Sequence, residues 1–482
     1  MSISSNATHD VDCAGGVCAA TAKSANLNTG DLTQMLASGD ITVKTGSAAT
    51  DIVVHDGFSW ASTSRLTLDA MRTIEFRKLV TVAGTGAVTL AYNDGGKNGD
   101  LLFSGKGKLD FSDVKSALTV NGTDYTLVRG ITNLANAIAA NPSGAYALAA
   151  DYNAKNDGVY AHAPIRTHFD GIFEGLGHTI RNLAISSSDD SVGFFWATQA
   201  TIRDFRLKAA SITAQNSSGV GVLAAGGIDV VRNVSVDGAI KVSGVTMPFV
   251  GGLIGGEGEN PLFTNCSTKV SINSTSSVPA AGGLIGISAG GLIVRSRASG
   301  DIVSSSGDKA VTGGLLGQGL QTAQGLPQIQ ESYATSNVTV FASSKPKTYA
   351  GGLVGIGAGT ISNSYATGSI TGGNKDNLGG LVGGSENTAI SHAYAVGAVS
   401  DSSYAGGVGG RIKSPQFDRV YWDTDTSGRT SACGRDRTCN GAAGLTDAQL
   451  KSGLPDGFDP KIWAQDPNIN NGYPYLRNNP PQ

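Results

Sequence analysis

Apolar residues in this chain come mostly in short alternating runs, separated by glycine, asparagine, aspartate and serine. From Asp31 the runs Leu32–Val43, Ile52-Val53-Val54, Phe58-Ser59-Trp60, Leu66-Thr67-Leu68, Ile74-Glu75-Phe76, Val80-Thr81-Val82 and Val88–Tyr92 follow in close order. Period-2 alternation bounded by turn formers predicts strands. Strands this short and closely spaced fit a β-helix better than a sandwich. Leu101–Phe103, Lys108–Phe111 and Ala117–Val120 continue the pattern. Asn121-Gly122 then predicts a hairpin turn into Tyr125–Val128. Ile131, Leu134, Ala135, Ile138 and Ala139 fall at helical spacing and predict one helix, stopped by Asn141-Pro142. The strand Tyr146–Ala149 and a polar loop, Asp151–Ala163, come next.

The second half of the chain repeats. Gly251-Gly252-Leu253-Ile254-Gly255 recurs from Gly282-Gly283, from Gly313-Gly314, from Gly351-Gly352 and from Gly379-Gly380, with a weakened copy from Gly406. The intervals are 31, 31, 38, 28 and 27 residues. Blurred copies precede them at Val220–Ala224 and Val192–Trp196. Each unit closes on a second pattern, as in Ile361-Ser362-Asn363-Ser364-Tyr365-Ala366-Thr367-Gly368. A period of this size is the mark of a solenoid. The paired glycines predict the corner where backbones of successive turns approach most closely. Tyr333, Tyr365 and Tyr394 recur at one position and are expected to stack. The whole reads as all-β, a parallel β-helix with one short helix near 131–141 and a small capping tail. Residues 1–30 read as a disordered or partial leader, 31–128 as the first β-helix turns, 129–190 as a transition, 191–425 as the repeats and 426–482 as a C-terminal cap. Thr446 N-caps a short helix in that tail, and its aromatic side is expected to cover the last open turn.

Composition narrows the function. The formal net charge of -3 gives no basis for nucleic-acid binding, and no apolar run is long enough to span a membrane. Met1–Asp10 has no basic or apolar region of a signal peptide, so an exported chain would be a fragment of something longer. Cys13 lies close to Cys18, and Cys433 to Cys439, which predicts two local disulfides and an oxidising compartment. The alternative, one four-cysteine metal site, would join pairs more than 400 residues apart. Cys266 stands where other units have Ser364 or Ala393 and reads as a small core residue.

The five strong Gly-Gly-Leu copies and Ser364–Gly368 resemble the GLUG motif of large bacterial surface proteins of the filamentous-haemagglutinin-like adhesin type. Phe173–Leu183, Val420–Gly428, Gly444–Thr446 and Gly472–Leu476 are similar to segments that flank such arrays. Residues 51–92 resemble the haemagglutinin-type β-helix. The resemblance implies a right-handed parallel β-helix at the cell surface. It also implies export by two-partner secretion through an outer-membrane β-barrel partner, although the secretion domain and signal of the family are not in this chain.

Candidate chemistry is sparse. GLUG repeats accompany some zinc peptidases, but none of His9, His55, His162, His168, His178 and His392 begins a His-Glu-x-x-His motif. A polysaccharide lyase or hydrolase would need paired carboxylates on one face. The best sets are Asp170, Glu174 and His178, and Asp423 with Asp425, which read as turn caps. Gly255–Leu262 loosely echoes a calcium nonapeptide, but singly and with Glu259. Gly95–Gly99 lacks the Gly-Lys-Ser/Thr of a phosphate loop. Arg295 and Arg297 read as solvated. No catalytic, cofactor or metal residues are therefore expected. The expected function is a non-enzymatic adhesin or stalk of roughly 40 Å over eight repeat turns. Its partner would be a cell-surface receptor or glycan, bound by loops that break the period: Val303–Val311, Leu320–Pro327, Phe341–Thr348 and Asp151–Ala163. The alternatives are a carbohydrate-active β-helix enzyme and a passive spacer for another domain.

Overall fold

A computed structural model describes all residues except 97, 245–246, 277–278, 307–308, 343–347, 435–438 and 482, and leaves out the side chains of 257, 259 and 342. The protein is nearly all-β, with solenoid turns and a few short helices. It divides into two units. The first comprises Met1–Ala154, Asp170–Ile180 and Ile202–Arg206; the second comprises Lys155–Phe169, Arg181–Thr201 and Leu207–Gln482.

In the first unit, parallel ladders place alternate apolar residues in a common core. Cys18, Val43, Leu68, Leu90 and Val120 stack in one column, and Ile3, Val54, Phe76 and Phe103 in another. Asn121-Gly122 turns the chain back, and Leu118–Val120 pairs antiparallel with Thr123–Tyr125. Residues 1–30 are not a loose leader. The strand Ser2–Ser4 lies between Asn26–Asn28 and Ile52–Val54 and pairs with both, burying Ile3. The segment read as strand from Leu32 is a helix, Thr29–Leu36. Asn28 caps it by accepting from the Gly30 and Asp31 N–H groups, and Leu32 and Leu36, one turn apart, are its buried face. The expected second helix spans Ile131–Ala140.

In the second unit each turn carries three kinds of strand. The turn from Phe249 has Phe249–Gly251, Ile254–Glu259 and then Leu262–Thr264 with Ser267–Thr275. The first kind stacks into an eight-stranded sheet, from Ser191–Val192 to Tyr404–Gly406. At the usual strand separation it is about 34 Å tall. Gly221, Gly251, Gly282, Gly313, Gly351, Gly379 and Gly406 occupy one register. A Cβ on Gly252, Gly283, Gly314, Gly352 or Gly380 would collide with the carbonyl oxygen of the glycine one turn on. The glycines are thus the place where backbone meets backbone.

A second corner splits the third face. Asn233, Asn265, Arg295, Glu331, Asn363, His392 and Arg419 hold left-handed φ values between 46° and 55° at equivalent points. The next residue carries a serine ladder. Ser296 Oγ accepts from Cys266 N–H, Ser332 Oγ from Ser296 N–H and Ser364 Oγ from Ser332 N–H, while each hydroxyl donates to a carbonyl two residues back. Tyr333, Tyr365 and Tyr394 follow in register, their rings nearly parallel at 4.7 and 5.1 Å.

The tail departs from its expected role. The repeat ladder runs past Asp425: Ala442–Leu445 pairs with Val420–Asp423, and Cys433 bridges Gly409. The segment after Thr446 runs back along the side of the stack, over the tyrosines. Trp463 packs 6.0 Å from both Tyr365 and Tyr394. Tyr394 donates to Pro474 O at 2.5 Å, Tyr333 to Pro480 O at 3.2 Å, and Asn479 reaches Ser296 O and Glu331 O. An aromatic ladder on an outward face is apolar surface, and the tail's own aromatics bury it.

Candidate binding groove

The second strand kind of the repeat unit stacks into a seven-stranded sheet, and its end carries one column of side chains. Ile287, Gln318, Ile356, Gly384 and Arg411 are register partners on successive turns. Beside this column lies a groove of about 520 Å³, lined by Gln321, Leu326, Tyr349, Ile356, Ser385, Glu386, Asn387, Arg411 and Lys413. From Gln318 to Arg411 the column covers three strand steps, about 14 Å.

Two irregularities shape it. One is the long interval between Gly313 and Gly351. Its described insertion, Leu320–Pro327, supplies Gln321 and Leu326. The other is Gly384, which stands where neighbouring turns have Ile356 and Arg411. A Cβ there would lie 2.5 Å from Tyr349 Cδ1, so the missing side chain seats the tyrosine ring. Tyr349 is buried, and its hydroxyl oxygen accepts from Arg411 Nη1 at 3.4 Å. Lys309, from the loop Val303–Val311, places its ammonium 5.6 Å from the same ring centroid.

Electrostatically the groove is basic. Lys413 Nζ lies 2.6 Å from Glu386 Oε1, with both side chains exposed. The hydrogen bond from Lys413, with its charge and that of Arg411, holds the Glu386 carboxyl below the ordinary carboxylate range. An exposed pair of this kind contributes little stability and exchanges readily with other partners. The amides of Gln321 and Asn387 face solvent beside it. Of Phe341–Thr348, residues 343–347 lie outside the described residues; Phe341 is exposed, as is Leu320 at the start of the neighbouring insertion. Residues 307–308 of the third loop are also outside them. Of Asp151–Ala163, the segment holds a short strand, Tyr152–Asn153, and a 3-10 turn, Ala154–Asp157.

Each carboxylate considered for catalysis has a structural partner. Glu174 is fully buried, pairs with Arg203 Nε at 2.6 Å and accepts from the Leu176 N–H. Asp170 is exposed and accepts from Ser143. His178 is buried, with Leu109 O 3.0 Å from Nε2 and Asp151 Oδ1 3.4 Å from Nδ1. Asp423 caps the short helix Thr424–Ser427, and Asp425 accepts from the Asp447 N–H. The Glu259 side chain and Lys97 lie outside the described residues. Arg295 and Arg297 are not simply solvated: Arg295 lies 3.6 Å from Glu331, and Arg297 donates to Asn479. Among the described residues no group of three or more His, Cys, Asp or Glu could hold a metal ion. Cys13 is bonded to Cys18, Cys433 to Cys439, and Cys266 is free and buried.

The repeats identify a motif class. The GLUG motif matches residues 348–371. The N-terminal region of the M26 IgA1-specific metallo-endopeptidases matches residues 116–238, about a quarter of the chain. A curated relative, halomucin of Haloquadratum walsbyi, is 30% identical over 333 residues, which is 58% of this chain and 4% of that protein. The chain thus spans only a small part of that relative. A crystal structure from Bacteroides ovatus, provisionally assigned as an immunoglobulin A1 protease, aligns over 74% of this chain and 93% of its own, with 16% identity and a TM-score of 0.41.

Proposed function

We propose that this chain is a secreted or surface-displayed stalk that attaches through loops interrupting its repeat, without catalysing a reaction. The observation that carries this reading is the groove beside the longest repeat interval. There the insertion Leu320–Pro327 and the bare Gly384 break an otherwise regular column. Insertions in a solenoid gather on one face, which is often the binding face. The GLUG match, the two local disulfides and the similarity to a mucin-named relative support an exported setting. The partner is a cell-surface receptor or glycan. Export by two-partner secretion is part of the same reading and rests on the haemagglutinin-like residues between 51 and 92.

Deleting 320–327 together with 341–348 tests the attachment face. Cell or glycan attachment should be lost while circular dichroism stays β-rich; undiminished attachment would overturn the assignment. Incubation with a panel of polysaccharides tests the absence of catalysis, and new reducing or unsaturated ends that vanish in Asp170→Ala would overturn it.

A second reading draws on the match at residues 116–238. The chain would then be a passive spacer presenting a domain carried elsewhere, as an N-terminal region would for a peptidase. In that case the chain alone attaches to nothing, and the loop deletions are silent.

A further inference from the structure

We infer that the groove receives an acidic oligosaccharide, with a sugar carboxylate held by Arg411 and Lys413. This deepens the attachment reading and rests on it.

The argument starts from the cations. Among the described residues the Arg411 guanidinium makes one hydrogen bond, a long one to Tyr349 Oη, so most of its N–H groups are open to another acceptor. The planar fork of arginine matches a carboxylate in two parallel bonds. Lys413 lies two residues on, just past the end of the strand Gly409–Ile412, and its exposed pair with Glu386 can open toward a second carboxylate. Two cations against one carboxylate make the groove locally positive on a chain whose formal net charge is -3.

The remaining lining fits hydroxyls and ring faces. Asn387 offers amide donors and an acceptor, and Gln321, whose Nε2 donates one bond to Thr322 O, offers its amide oxygen and a second N–H, the pairing that vicinal sugar hydroxyls need. Leu326 and Ile356 supply small apolar patches between them. Tyr349 is the groove's aromatic, but it is buried, seated on Gly384, and gives no open stacking platform. Recognition therefore depends on charge more than on aromatic stacking, which favours a uronate-type sugar over a neutral one. A trough of about 14 Å along four turns suits a short extended chain.

Size-defined oligogalacturonates, with uncharged maltooligosaccharides of equal length alongside, test this by calorimetry on the full chain. The expected result is saturable binding of the acidic series only, weakening as salt rises. Arg411→Gln should lower affinity about tenfold or more, as loss of a charge-assisted pair does. Arg411→Lys should recover part of that loss. Glu386→Gln should bind more tightly than the parent, an outcome that damage to the fold would not produce. Equal binding of neutral and acidic sugars, no binding of the acidic series, or an unchanged affinity in Arg411→Gln would each overturn the proposal. The two readings fail separately. If the loop deletions abolish attachment and oligogalacturonates do not bind, the sugar class is wrong. If the deletions leave attachment intact, the attachment face itself is wrong.

Discussion

At the scale of single residues, glycine and asparagine govern this molecule. Gly352 has no space for a side chain, because the Gly380 carbonyl of the next turn occupies it. Gly352→Ala should cost about 3 kcal/mol by overpacking, read from urea unfolding. Gly39→Ala, where a Cβ meets nothing within 4 Å, should change stability by roughly 0.5 kcal/mol at most. The glycine column was legible because its spacing recurs. The asparagine corner was less so, since Arg295, Glu331, His392 and Arg419 hold the same left-handed backbone as Asn363. Its signal was the Asn that precedes the small residue in two of the copies, Asn265 before Cys266 and Asn363 before Ser364. Glu174 looked like a catalytic candidate because proximity in sequence says nothing of burial. In the fold it is a buried ion pair, and Glu174→Ala should destabilise by about 3–5 kcal/mol through the uncompensated Arg203. Asp151 carries a pH dependence. Burial alone would raise its carboxyl, but hydrogen bonds from His178, Lys108 and the Thr179 N–H outweigh this and leave it far below the ordinary range. Its stabilisation is therefore complete above the unfolded-state value near pH 4 and fades as pH falls below it. Asp151→Asn should flatten the acid limb of a stability–pH curve.

At the scale of elements, the tail is the main departure from expectation. A cap over the end of the stack and a strap along its side need the same composition, an aromatic face on a short irregular segment. Where that face docks depends on which surface is left apolar, and the tyrosine ladder is that surface. Trp463 is fully buried against it, so Trp463→Ala should cost about 3–5 kcal/mol. Burial pushes the Tyr333 phenol up to about 12 and those of Tyr365 and Tyr394 well above their ordinary value. Above pH 10 the unfolded chain thus releases phenolic protons that the folded ladder keeps, and stability falls as pH rises. Removing the strap by Trp463→Ala should bring phenolate absorbance in at lower pH. The helix Thr29–Leu36 was misread for a local reason. Leu32, Met35 and Leu36 fall at helical spacing, but the run is short and leads into the alternating strand Ile41–Lys44, and the Asn28 cap marks where the helix begins.

At the scale of the whole molecule, stability in each unit is a sum of contacts between neighbouring turns, so no single cross-link should hold the fold together. The two disulfides close loops of five and six residues in sequence, which constrains the unfolded chain by only about 2 kcal/mol each. Thiol titration gives a direct check. The native protein should show no reactive thiol, because burial pushes Cys266 up to about 12 and hides it. Unfolding without reductant should release one thiol, and unfolding with reductant all five cysteines. More than one thiol without reductant would mean that a disulfide is absent.

The amino-acid sequence by itself determined the repeat, the strand content, the stacking corner and the tyrosine column. Each follows from local sterics or a two-residue period, copied at an interval long enough to be seen. It also marked where the period breaks. Only the tertiary structure decided that Ser2–Ser4 inserts between later strands, that the tail lies along the ladder, and that Gln321, Tyr349, Glu386 and Arg411 share one groove. Those residues come from different turns, and their proximity follows from the register of the stack and the missing side chain at Gly384. No short-range pattern encodes that proximity, because a parallel solenoid brings residues together across intervals of a full repeat.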